Sequence, residues 1–161
     1  MTPEQAFDAH HQAVFRFVYR LTRRADIAED ITQECFLALL RAPGRFDAAR
    51  GSIKTYLFGI ARNLVFKEYR DRPDDAPLED LVEERLSADL AAAVEQAVGA
   101  LPALQQEALV LFEYEGFTLE EIAVVAGADV GTIKSRLHRA RERLKRTLAP
   151  RGKTGRAYGT A

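Results

Sequence analysis

The chain is poor in the residues that staple small secreted domains or bind metals. Its 161 residues include one cysteine, Cys35, and no tryptophan. A lone cysteine excludes an intramolecular disulfide and leaves a thiolate zinc site short of ligands. That is compatible with a reducing cytoplasm, the expected location. There is no apolar run of about 18 residues, so no membrane-spanning helix is expected. The opening MTPEQAFDAHH has no basic segment followed by an apolar one and does not read as a secretory signal. His10 and His11 stand without companion ligands. A Gly-rich phosphate loop, a Ser-His-Asp set and an isolated carboxylate pair are all missing. Neither a catalytic centre nor a metal or cofactor is expected, so the chain reads as a non-enzyme.

Net charge is also nearly absent, at −1, but this conceals an uneven distribution. Residues 1–70 carry 11 Lys/Arg against 8 Asp/Glu, residues 71–129 carry 2 against 15, and residues 130–161 carry 10 against 1. A C-terminal block of net +9 has the charge of a polyanion-binding segment. On charge alone it reads equally well as a solvated basic helix and tail.

Strand signals are lacking too. No run alternates convincingly between apolar and polar residues, and no Asn-Gly or Asp-Gly hairpin turn occurs. What is present is helical throughout. Thr2-Pro3-Glu4-Gln5 has the form of a capping box with proline in the first turn, opening a helix to about Arg24. Its apolar stripe is Phe7, Val14, Phe15, Val18 and Leu21. A second helix is expected from Asp26, with Glu29 three residues on, to just before Pro43-Gly44, with Ile27, Ile31, Cys35 and Leu39 inward. A third is expected from near Ser52 to before Pro73, burying Ile53, Leu57, Ile60, Ala61 and Leu64.

The stretch DRPDDAPLEDLVEERL then combines two prolines with a dense acidic run and reads as a linker. Beyond it a helix is expected near Ser87, ending at Gly99. Another follows Pro102, carries Leu104, Ala108, Leu111 and Phe112, and ends at Gly116. Thr118-Leu119-Glu120-Glu121 is a second capping box. Its helix ends at Gly127, and Asp129 caps a long last helix to about Leu148. The predicted organisation is a helical domain at 1–72, an acidic linker at 73–86, a helical domain at 87–149 and a disordered basic tail at 150–161.

The strongest local signal is TLEEIAVVAGADVGTIKSRLHRARERL. A short helix, a glycine turn and a longer helix with a basic face follow the helix-turn-helix plan. Ile122, Ala123 and Ala126 are spaced to pack against Val130, Ile133 and Leu137. At about 100° per residue, Val130, Ile133, Leu137, Ala140 and Leu144 share one stripe. The opposite face presents Gly131, Ser135, His138, Arg139 and Glu142, flanked by Thr132, Lys134 and Arg136. Donors near the start of such a helix read base edges in the major groove, and flanking cations hold phosphates. An ordinary amphipathic helix pair would share the apolar stripe but would not need the capping box, turn glycine and basic face together.

VGTIKSRLHRARERL, preceded by LPALQQEALVLFEYEGFTLEEIA, closely resembles region 4 of the sigma-70 family, which binds the minus-35 promoter element. AEDITQECFLALL resembles region 2.2, the polymerase-binding helix, and SIKTYLFGIARNLVFKEYRDR resembles regions 2.3 and 2.4, which open and read the minus-10 element. The motifs occur in family order and cover roughly residues 5–148. The short chain is similar to the extracytoplasmic-function (ECF) group. The resemblance implies an all-α protein of two small helical domains joined by an acidic linker. It also implies a transcription initiation factor that binds core RNA polymerase and directs it to promoters. The implied partners are the polymerase β′ coiled coil and β flap, promoter DNA and an anti-sigma factor.

The resemblance also distributes roles. Asp26, Glu29, Asp30, Gln33 and Glu34, beside Phe36 and Leu37, would dock on polymerase. Arg45, Arg50, Lys54, Tyr56, Phe58, Arg62, Asn63, Lys67 and Arg70 would serve the minus-10 strand, with aromatic rings as stacking surfaces and cations along the backbone. Phe66 and Tyr69 are further candidates for stacking. Relatives often have tryptophan where this chain has Tyr56. Thr118, Gly131, Thr132, Lys134, Ser135, Arg136, His138 and Arg139 would serve minus-35. The competing readings are a stand-alone helix-turn-helix regulator, an enzyme carrying a targeting domain, and a sigma-like adaptor. The first leaves the motifs before the linker without a purpose, the second lacks a catalytic constellation, and the third has no use for an intact basic readout helix.

Overall fold

The computed structural model describes residues 1–71 and 89–149, and these are helical with no strand among them. Helix α1 spans Pro3–Thr22 and starts where the capping box predicts. Thr2 Oγ1 accepts from the Gln5 amide at 3.0 Å, and Gln5 Oε1 accepts from the Thr2 amide at 2.8 Å. It ends at Arg23, whose φ of 58° turns the chain sharply into α2. Helix α2 spans Ala25–Arg41. Asp26, the start expected from the sequence, is one residue inside the helix and is not its cap. Arg24 holds that position and makes no capping hydrogen bond through its side chain. Asp26 lies in the first turn, where its carboxylate suits the positive helix end and binds Arg24 at 3.2 Å.

Two 3₁₀ turns, Pro43–Arg45 and Ala48–Arg50, bridge to α3 at Ile53–Asp71. Ser52 Oγ accepts from the Thr55 amide at 3.1 Å and closes the first turn of α3. The predicted acidic linker and basic tail lie outside the described residues, as does Ser87. Helix α4 spans Leu90–Gly99, capped by Asp89. Helix α5 spans Ala103–Leu109 and runs on into a π-helical turn at Val110–Tyr114. Gly116, at φ 72°, then reverses the chain. Helices α6 (Leu119–Ala126) and α7 (Val130–Thr147) follow.

The first half folds α1, α2 and α3 around Val14, Phe17, Val18, Ile31, Cys35, Leu39, Leu57 and Val65. The second half folds α4 to α7 around Val98, Leu109, Leu111, Ile122, Ile133, Leu137 and Ala140. These are the two helical units that the sequence pattern implies. They are not held apart: α3 lies against α6, and the two cores form one apolar cluster. A chain of rings crosses the junction. Phe17 and Phe58 have centroids 4.9 Å apart, and Phe58 and Phe117 are also at 4.9 Å. Each buried phenyl contributes on the order of 2 kcal/mol by leaving water.

Candidate nucleic-acid and polymerase interfaces

The helix-turn-helix is fixed at three points. Thr118 and Glu121 cap each other across the start of α6, with the Glu121 amide donating to Thr118 Oγ1 at 3.0 Å. Gly127 takes φ 65°, a left-handed conformation that glycine adopts without strain. Asp129 accepts from the Thr132 amide at 2.7 Å, and this bond holds its carboxyl below the usual range. Ile133, Leu137 and Ala140 are buried with Ile122 and Ala126, as the spacing predicts, but Val125 is buried there in place of Ala123, which is half-buried. Val130 and Leu144 are half-buried.

The opposite face of α7 is open. Gly131, Lys134, Ser135, His138 and Arg139 are exposed, and Thr132 and Glu142 are half-buried. Two predicted contacts have other work to do here. The Thr118 hydroxyl is engaged as a cap. Arg136 turns inward, with a buried Nη1, and its charge acts on Glu107. That Nη1 has no hydrogen-bond partner among the described residues, and Arg136 as a whole is half-buried. Sequence reasoning missed the residues that brace α7 from behind. Arg141 donates to Glu113 at 3.0 Å and lies 5.4 Å from the Phe112 ring centroid.

Glu107 was also missed. Its side chain is 1% exposed, and its Oε2 accepts from Arg62 Nε at 2.6 Å. Burial pushes its carboxyl above the ordinary range, while Arg62 and then Arg136 pull it back. The signal was present as an acid on an otherwise apolar stripe, between Leu104 and Leu111.

The minus-10 candidates divide into two groups. Arg45 and Arg50 on the loop, and Asn63, Lys67 and Arg70 on α3, are exposed. Tyr56 is half-buried, with its ring 5.4 Å from Phe46. Lys54, Phe58 and Arg62 instead face the second half. Phe58 is 0% exposed, so its expected role as a stacking surface is not available in this arrangement: its ring fills the junction. Phe66 lies under the Arg62 guanidinium at 4.5 Å. Tyr69 donates its hydroxyl to the Leu21 carbonyl, and burial pushes its phenol up to about 12.

On α2, Asp26, Glu29, Asp30, Gln33 and Leu37 are exposed. Glu34 pairs with Arg41 at 3.1 Å. Phe36 is 8% exposed and sits edge-on to Phe7, with centroids 5.1 Å apart. These rings form the floor of an open groove of about 320 Å³, whose rim includes Gln33, Leu37 and Leu40. The acidic face thus borders an apolar one. Among the described residues, no group of three His, Cys, Asp or Glu is placed to hold a metal, and no helix is long and apolar enough to cross a membrane.

Comparison with known proteins agrees with this geometry. Residues 6–74 match the family Sigma-70 region 2, and residues 91–144 match Sigma-70, region 4. ECF RNA polymerase sigma factor SigM of Mycobacterium tuberculosis is 32% identical over 152 residues, covering 90% of this chain and 76% of that protein. SigC of the same species is 37% identical over 161 residues, covering 94% and 86%. SigE of Mycolicibacterium smegmatis is 36% identical, but the match spans only 59% of its length. Among solved structures, the sigma factor RpoE of Bartonella quintana, in complex with the anti-sigma factor NepR, aligns with a TM-score of 0.72 at 27% identity. That alignment covers 90% of this chain and 95% of RpoE. CnrH, in complex with the cytosolic domain of CnrY, aligns at 0.70 and 25% identity, covering 91% and 86%. The chain belongs to the sigma-70 family of RNA polymerase sigma factors, in its ECF group.

Proposed function

We propose that the chain is a promoter-specificity subunit that binds core RNA polymerase and directs it to minus-10 and minus-35 elements. It performs no chemistry of its own and works in the cytoplasm. The observation that carries this reading is the pair of unlike faces in one chain: the open basic face of α7 and the acidic, groove-bordered face of α2. A stand-alone regulator would use the first and leave the second without a partner. We place the promoter-melting and polymerase-binding unit at 1–72 and the minus-35 unit at 87–149. RpoE was solved bound to an anti-sigma factor, and this supports an anti-sigma partner for the present chain.

The α2 assignment is tested by binding the full chain to core polymerase. Asp30→Lys with Glu34→Lys sets like charge against a basic partner and is expected to weaken binding by about tenfold or more. The exposed Glu34–Arg41 pair contributes little to folding, so the helical content should not change. Unchanged affinity would remove α2 from the polymerase interface.

A further inference from the structure

Gly131 is the second residue of α7 and has a helical backbone. Glycine weakens a helix relative to alanine, because it has more backbone freedom to lose. The local conformation does not ask for it: Gly51, Gly116 and Gly127 take positive φ, and Gly131 is not among them. Space within the fold does not ask for it either. Beyond its own helix backbone, a Cβ at 131 would meet only Asp129 Oδ1, at 3.6 Å, an ordinary van der Waals distance. Gly59 and Gly99, the other α-helical glycines among the described residues, instead face distant parts of the chain, the Val125 carbonyl and the Arg23 guanidinium.

The missing side chain lies on the open side of the helix. Gly131, Ser135 and His138 follow one another at i, i+4 and i+7 and are all exposed, with Lys134 and Arg139 exposed beside them. We infer that Gly131 is a positioning residue for the promoter duplex: its bare Cα lies against the major-groove edge, and the absence of a methyl group sets the depth at which α7 sits. Depth decides what is read. A base-edge hydrogen bond of about 2.9 Å is lost when the helix is lifted by on the order of 1 Å. A methyl group at 131 therefore withdraws Ser135 and Arg139 from the bases, while the long, flexible Lys134 still reaches a phosphate. The helix gives up some stability for this close approach. The inference rests on the reading of α7 as the minus-35 helix and adds to it the residue that sets how deeply the helix docks.

The test uses the full chain, alone and bound to core polymerase. Gly131→Ala adds one methyl group and favours the helix; Gly131→Leu adds more bulk with a similar helix preference. For the chain alone, Gly131→Ala is expected to raise the melting temperature by about 2 °C. With polymerase, fluorescein-labelled duplexes report binding by anisotropy, one carrying the minus-35 element selected from a random library and one with that element scrambled. Gly131→Ala is expected to lose about tenfold in affinity for the selected duplex and little for the scrambled one, and Gly131→Leu to lose more. A chain that is more stable yet discriminates less is the expected result. A lower melting temperature in Gly131→Ala would overturn the inference, because the fold itself would then need the glycine. So would discrimination that is unchanged or sharper in both variants. An unaltered chain that prefers neither duplex would remove the minus-35 reading and the inference with it, a failure seen in the unaltered chain and not in the variants.

Discussion

Arg62 and Glu107 are 45 positions apart in sequence, yet they meet at 2.6 Å across the junction of the two halves. The carboxylate is almost fully enclosed, and Arg136 approaches it from the recognition helix. The carboxylate thus hydrogen-bonds one arginine and feels the charge of a second, one from each candidate DNA surface.

Removing that acid should be costly. Glu107→Ala leaves the largely buried Arg62 guanidinium without its carboxylate and is expected to lower unfolding stability by about 3 kcal/mol. Glu107→Gln keeps the shape and a hydrogen-bond acceptor and should cost less. The pH dependence carries a sign. Burial raises the Glu107 carboxyl in the folded chain, so the folded state holds its proton more tightly than the unfolded state. Its contribution is complete below the ordinary glutamate range and is lost as pH rises through the raised value. The stability difference between the unaltered chain and Glu107→Gln should therefore shrink as pH rises above the ordinary glutamate range. Chemical denaturation across that range measures it. A difference that grows with pH would mean that the arginines outweigh burial.

Cys35 provides a probe of core integrity. It is 0% exposed, and burial, with a smaller push from Glu34, raises its thiol to about 12. Reactivity follows the thiolate, which is scarce at neutral pH and sterically enclosed. Ellman's reagent should label the chain only in denaturant, at one thiol per molecule. Prompt labelling of the native chain would show that the α2–α3 contact opens readily.

Much of this architecture was legible in the sequence because it rests on local rules. The capping boxes at Thr2 and Thr118 and the turn glycine Gly127 set helix ends within a few residues, and no distant partner is needed to read them. The expected start of α2 fell one residue late, because Asp26 satisfies the local rule for a cap while Arg24 occupies the position. The closure of the halves was not legible. Phe58 and Arg62 suit a stacking surface and a cationic track, and nothing local shows that Phe117 and Glu107 already occupy them. Arg136 illustrates the same limit. Helical angle places it at the edge of the basic face, but its Nη1 is buried.

Two of the exposed cations of α7 should behave differently on duplex DNA. Arg139 lies one turn beyond Ser135, on the side opposite the buried stripe, and has the reach for bidentate contact with guanine. Arg139→Ala should relax preference at one or two minus-35 positions, removing about 1–3 kcal/mol of discrimination. Lys134, at the edge of that face, suits a phosphate. Lys134→Ala should weaken all sequences alike and lower the salt slope by about one. Binding of the full chain to a minus-35 library at several salt concentrations separates the two. The reverse pattern would mean that α7 enters the groove in a different orientation.

Transcription itself tests the promoter assignment most directly. Core polymerase, with and without the purified chain, is given a library of promoter fragments and the transcripts are sequenced. Initiation is expected to depend on the chain and to be confined to fragments sharing one minus-35 and minus-10 pair, with Asp30→Lys plus Glu34→Lys reducing all of it. Transcripts that are the same with and without the chain, while the chain binds duplex DNA alone, would contradict it and favour a stand-alone regulator.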